Sequence, residues 1–125
     1  MNYKTIQVKG KGRGKLLGYP TINLEIPSMF IEDEGIYASW VMIEDKKYKG
    51  ALHFGPVPTF GEKAKSLEVF LIGADEKKLR NLKASIIEIV LVKKIRDILS
   101  FSNPKDLSQQ ITMDVEEIDR ILASV

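Results

Sequence analysis

The chain contains no cysteine and a single histidine among its 125 residues. Without cysteine there is no disulfide framework, no zinc–thiolate centre and no thiol nucleophile. One histidine rules out a multi-histidine metal site, and no G-x-S-x-G elbow accompanies His53 to make a serine hydrolase. Long hydrophobic runs are missing too. No stretch approaches the roughly 18 apolar residues of a membrane helix, and no apolar signal-peptide core follows Met1-Asn2-Tyr3-Lys4. Neither charge sign dominates: 19 Lys and Arg against 17 Asp and Glu leave a net +2. That is far from the clustered basicity of a dedicated nucleic-acid binder. The remaining pattern, 44% hydrophobic content, suits one globular domain over residues 1–125, in a reducing compartment such as the cytoplasm.

Glycine is present but unevenly spread. Four of the nine glycines fall in Gly10-Lys11-Gly12-Arg13-Gly14-Lys15-Leu16-Leu17-Gly18, which runs on into Tyr19-Pro20-Thr21-Ile22-Asn23. Small residues let backbone N–H groups approach an anion closely. In an extended segment Thr21 and Asn23 point the same way. One Mg²⁺ could therefore take both side-chain oxygens, with water and phosphate completing its shell. Phosphate with Mg²⁺ suggests nucleotide chemistry. Two standard motifs fail: no Gly-Lys pair here is followed by Ser or Thr, and Pro20 interrupts any helix the glycines would open. The competing reading is a glycine-rich turn between strands, with Thr21 and Asn23 bonding the local backbone.

Strand patterns dominate the rest. Residues 3–8, 36–43, 47–54, 67–72 and 86–92 read as strands, with a sixth at 21–24. The polar Glu44-Asp45-Lys46 predicts a hairpin turn. One helix closes the chain: Asn103 is the expected N-cap, Pro104 its first residue, and Asp106 favours its N-terminus. Leu107, Ile111, Ile118, Ile121 and Leu122 form its apolar stripe. Strands first and a helix last predict a mostly β domain: six antiparallel strands closed into a barrel that leaves no exposed edge, plus a C-terminal helix. Within 67–72, Glu68 stands among apolar neighbours. It is either a carboxylate at the barrel mouth that accepts a substrate proton, or an ordinary outward-facing strand glutamate.

The segment from Gly10 to Asn23 resembles the riboflavin kinase signature, in which G-x-G-R-G leads into L-G-[FY]-P-T-x-N. Further segments resemble that family in order over residues 8–120: Gly35-Ile36-Tyr37, the Gly50-to-Phe60 run with Gly55-Pro56-Val57-Pro58-Thr59-Phe60, Leu67-Glu68-Val69-Phe70-Leu71, and Ile95-Arg96-Asp97 followed by Phe101-Ser102, Leu107, Ile111 and Asp114. The resemblance implies the same barrel-and-helix fold and an ATP:riboflavin 5′-phosphotransferase that makes FMN. It implies Glu68 as the catalytic base, and Gly10, Gly12, Lys15, Thr21 and Asn23 as nucleotide contacts. Thr21 and Asn23 would hold Mg²⁺, and Arg96 would border the flavin, unless it is a solvated strand-end cation. Riboflavin/FMN and ATP/ADP are the expected partners of a monomer, with no membrane and no nucleic acid.

Three departures stand out. His53 occupies the family's usual asparagine position. Residues 72–83 are charged and lack the family's tyrosine. The glycine loop is one residue shorter than in many relatives. The length leaves no room for the adenylyltransferase module of many bacterial relatives, so FAD synthesis is not expected. Two rivals stay open: a flavin- or nucleotide-binding module without turnover, motivated by the altered 73–83 segment, and a small RNA-binding β-barrel, motivated by the basic 9–15 segment.

Overall fold

The computed structural model describes residues 1–10, 17–75 and 85–124. Its strands are β1 (Asn2–Thr5), β2 (Ile22–Leu24), β3 (Gly35–Ile43), β4 (Lys46–Gly55), β5 (Ser66–Ile72) and β6 (Ile87–Arg96), followed by helix α1 (Pro104–Ala123). Every ladder is antiparallel, in the spatial order β1-β6-β3-β4-β5-β2. The β3–β4 hairpin turns on Glu44 and Asp45, both at positive φ (48° and 68°). Two consecutive left-handed residues match the right-handed twist of the flanking strands.

The sheet is a curled half-barrel, which corrects the expected closed barrel. β1 and β2 are short edge strands, and no strand ladder joins them. The seam is spanned by residues at and just after the end of β1: Thr5 Oγ1 donates to the Glu25 carbonyl, and a single bridge pairs Gln7 with Leu24. Val8 N–H donates to Asn23 O at 2.8 Å and Glu25 N–H to Ile6 O at 3.0 Å. These bonds blunt the edges without a continuous ladder.

Strand alternation sorts side chains onto two faces. In β5, Leu67, Val69 and Leu71 are buried inside, while Ser66, Glu68, Phe70 and Ile72 face outward. The inner cluster also takes Ile22, Leu24, Tyr37, Val41, Leu52, Ile87 and Ile89. Phe30, from the β2–β3 connection, packs there between Tyr3 and Phe54, with ring centroids 4.6 and 4.7 Å away. The Tyr3 hydroxyl donates to Glu32 at 2.5 Å, and that of Tyr37 to the Asp33 carbonyl at 2.5 Å. Burial, followed by the bond to Glu32, raises the Tyr3 pKa; burial raises that of Tyr37.

Helix α1 lies across the outer face, against β3 and β4. Ile118 and Leu122 join Ile36 and Ala38 in a second cluster there. The helix begins as predicted: Asn103 Oδ1 accepts the Asp106 N–H at 2.9 Å and Pro104 follows the cap. Its buried residues are Leu107, Asp114, Ile118 and Leu122. A carboxylate therefore interrupts the apolar stripe. Among the described residues, no helix is long and apolar enough to cross a membrane.

Candidate functional site

Register places five residues in one row across the outer face. Asn23 on β2 pairs with Glu68 on β5, Glu68 with His53 on β4, His53 with Ile36 on β3, and Ile36 with Arg96 on β6. Directly opposed residues stand close enough for their side chains to interact. Four of the five are polar, at one level of a sheet whose other face is apolar.

Glu68 is the centre of the row. Thr21 Oγ1 donates to its Oε1 at 3.0 Å, and Ser66 Oγ donates to its Oε2 at 2.8 Å. Bonds to an ionised acceptor are the strong ones. Ser66 precedes Glu68 by two residues, so both point outward from β5. His53 turns toward the backbone: its Nε2 lies 2.8 Å from the Gly55 carbonyl, which can only accept, so that nitrogen carries the proton.

Two cavities meet at Glu68. The first, about 110 Å³, lies between the sheet's outer face and α1, with apolar walls from Tyr19, Phe70 and Leu107 and polar groups from Thr21, Glu68 and His53. The second, about 390 Å³, carries Lys9, Gly10, Asn23, Lys65, Ser66 and Glu68, with Glu25 and Glu62 and apolar residues completing its wall. Gly10 is held so close to Asn23 that an added Cβ would lie 1.8 Å from Asn23 Nδ2. A side chain there would push the Asn23 amide out of its present position. The start of the glycine-rich segment is thus docked on the amide of Asn23.

The first cavity is roofed by residues 17–19. Gly18 takes a φ of 85°, and the chain then presents Tyr19 edge-on to Phe70, with ring centroids 5.1 Å apart. The Tyr19 hydroxyl is hydrogen-bonded to Thr112 Oγ1. Ser108 Oγ donates to the Leu17 carbonyl at 2.9 Å. The far wall is an ion pair. Arg96 grips Asp114 through Nε at 2.9 Å and Nη2 at 2.6 Å, and Gln110 Nε2 donates to the same carboxylate at 3.0 Å. The side chains are 16% and 5% exposed, so this pair is buried between sheet and helix. Beside it, Lys94 and Asp97 form an exposed pair at 2.6 Å. Their hydrogen bond raises the Lys94 pKa and lowers that of Asp97.

These positions refine the expectations. Glu68 points outward from the sheet into the first cavity and also borders the second, so it lines a site without a closed barrel. Thr21 and Asn23 flank it on opposite sides: Thr21 opens on the first cavity and Asn23 on the second. Arg96 lines the first cavity but is not a solvated cation, because Asp114 holds it. Gly10 borders the second cavity. Gly12 and Lys15 lie outside the described residues, as do residues 76–83 of the charged segment. Reading the sequence did not single out Ser66 and left Asp114 without a role. Spacing of two from Glu68 was the signal for the first, an acid inside an apolar helical stripe for the second.

A family model described as Flavokinase: Riboflavin kinase matches residues 1–122. The chain is 30% identical over 126 residues to the bifunctional riboflavin kinase/FMN adenylyltransferase of Bacillus subtilis (strain 168), covering 98% of this chain and 39% of that protein. The same-named protein of Buchnera aphidicola subsp. Acyrthosiphon pisum is 34% identical over 111 residues, which cover 86% of this chain and 34% of the relative. The RNA-binding riboflavin kinase RibR of Bacillus subtilis is 30% identical over 109 residues, 86% of this chain and 45% of RibR. Among solved structures, one described as a macrolide-efflux protein from Streptococcus pneumoniae superposes with a TM-score of 0.76 at 25% identity, over 92% of this chain and 37% of that one. The chain thus spans less than half the length of these relatives. The family match runs through every element that builds the two cavities, and on it the chain belongs to the riboflavin kinase family.

Proposed function

We propose that the chain is an ATP:riboflavin 5′-phosphotransferase that forms FMN. One observation carries the reading: the carboxylate of Glu68 is shared by two adjoining cavities, one between sheet and helix and one beside Lys9, Gly10, Asn23 and Lys65. The apolar cavity under α1 suits a planar aromatic acceptor such as the flavin ring, with its hydroxylated chain directed toward Glu68. The second, beside Gly10 and Asn23, suits a nucleotide phosphate. Glu68 stands where the two substrates would meet.

Phosphoryl transfer leaves the protein little covalent work; positioning and charge stabilisation dominate. Glu68 would accept the proton of the acceptor's primary hydroxyl as that oxygen attacks the γ-phosphorus and ADP leaves. A positioned base is worth about 10²–10⁴-fold. Gly10, Gly12 and Lys15 remain proposed phosphate contacts, and Arg96 would shape the flavin cavity through its grip on Asp114. The donors fit Mg²⁺. Thr21 commits its proton to Glu68, which leaves its oxygen lone pairs for a cation, and Asn23, two residues further along the chain, carries a second hard oxygen on the side of the second cavity. No cluster of three His, Cys, Asp or Glu that could hold a metal occurs among the described residues, which fits a cation carried in with phosphate. Mg²⁺ held there would neutralise charge on the transferring phosphate.

The test is direct. Protein, Mg-ATP and riboflavin are incubated and the flavins separated by chromatography. FMN accumulation that E68Q abolishes is expected. Riboflavin and ADP binding with no FMN formed would instead mark a binding module. The RibR relative supports a second reading as an RNA binder; tight, salt-sensitive RNA retention without flavin binding would favour it.

A further inference from the structure

We propose that Ser66 is a positioning residue for Glu68, and that it fixes the plane of that carboxylate across the boundary between the two cavities. The inference rests on the kinase reading above. A glutamate has three side-chain torsions, and the last is broad and nearly two-fold. A carboxylate held through one oxygen can still turn about that bond. Here each oxygen has its own hydroxyl: Thr21 on Oε1 at 3.0 Å and Ser66 on Oε2 at 2.8 Å. The two hydroxyls lie on opposite sides. Thr21 lines the apolar cavity and Ser66 the phosphate-side cavity. Together they span the carboxylate and define its orientation.

Ser66 is itself well placed to stay. It starts β5 opposite Gly55, and its hydroxyl also lies 3.4 Å from the Gly55 carbonyl. A serine hydroxyl has one proton and can accept as well as donate. While Glu68 is ionised, the proton goes to the shorter, charge-assisted bond. Once Glu68 has taken the acceptor's proton, Ser66 can turn its own proton to Gly55 O and accept from the protonated carboxyl. The contact persists through turnover with no change in proton count. Other polar or charged groups near the row are His53 on β4, Asn23 on β2, Lys9, Glu25, Glu62 and Lys65 around the second cavity, and Arg96 and Asp114 around the first. None of these is spaced two residues from Glu68 on its own strand.

The test compares S66A and S66T with the unaltered protein in FMN formation, varying riboflavin at saturating Mg-ATP. A base held out of line loses rate, not binding. S66A should lower kcat roughly tenfold while the riboflavin KM stays within about twofold. S66T, which keeps the hydroxyl, should recover most of kcat. An unchanged kcat in S66A, or a loss that S66T does not recover, would overturn the assignment while the kinase reading stands. No FMN from the unaltered protein would overturn the reading and, with it, the assignment.

Discussion

Two hydroxyls on one acid make the site's chemistry a matter of single residues. E68Q keeps the shape and the outward placement but cannot accept a proton, so kcat should fall by about 10²-fold or more with folding unaffected. Circular dichroism and FMN chromatography read both. T21A and N23A remove oxygen donors on either flank. Each should weaken Mg-nucleotide binding about tenfold, measured by calorimetry; unaltered affinity in both would place the cation elsewhere. Glu68, Thr21 and Asn23 were legible in the sequence because an alternating strand fixes which side chains share a face. Their division between two cavities was not, because it depends on where α1 lands. Ser66 went unread for a related reason. It follows Gly61-Glu62-Lys63-Ala64-Lys65, and nothing local separates the last loop residue from the first strand residue.

Helix α1 shows what an element can hide in its own pattern. Its cap and its apolar spacing were readable, and the structure repeats both. What the pattern lacks is Asp114, 4% exposed in the middle of the buried stripe. The acid is tolerable there only because Arg96 reaches it from the last position of β6, which is a tertiary fact. Removing one partner of such a pair strands a buried charge. D114A should therefore cost about 3–5 kcal/mol in urea unfolding; a loss below about 1 kcal/mol would show the pair to be well solvated. The strands tell the same story in part. β3, β4 and β5 were found nearly to their ends, since β-branched and aromatic runs mark them. β1 is shorter than the 3–8 reading and β6 longer than the 86–92 reading. Pairing with neighbours sets those limits, and the closed barrel failed because the edge strands are too short to meet in a ladder.

At the scale of the whole molecule, the inner core carries a pH limit. Tyr3 and Tyr37 both have raised pKa values in the fold, for which burial is the main cause. An acid whose folded pKa lies above its unfolded value contributes stability that is intact below about pH 10 and is lost as pH climbs through the folded value. Denaturant midpoints should hold through neutral pH and fall on the alkaline side. Tyrosinate absorbance should show Tyr3 and Tyr37 titrating late; Y3F and Y37F variants that leave the late phase unchanged would remove the effect. The same core also guards the chemistry on the other side of the sheet. Leu67, Val69 and Leu71 alternate with Ser66, Glu68 and Phe70, so a one-residue slip of β5 would present leucine or valine to the cavities and drive the acid among apolar side chains. Misregistered chains are therefore penalised by the oil-filled interior long before any substrate arrives, and selection for a tightly filled interior is at the same time selection for an acid in the right place.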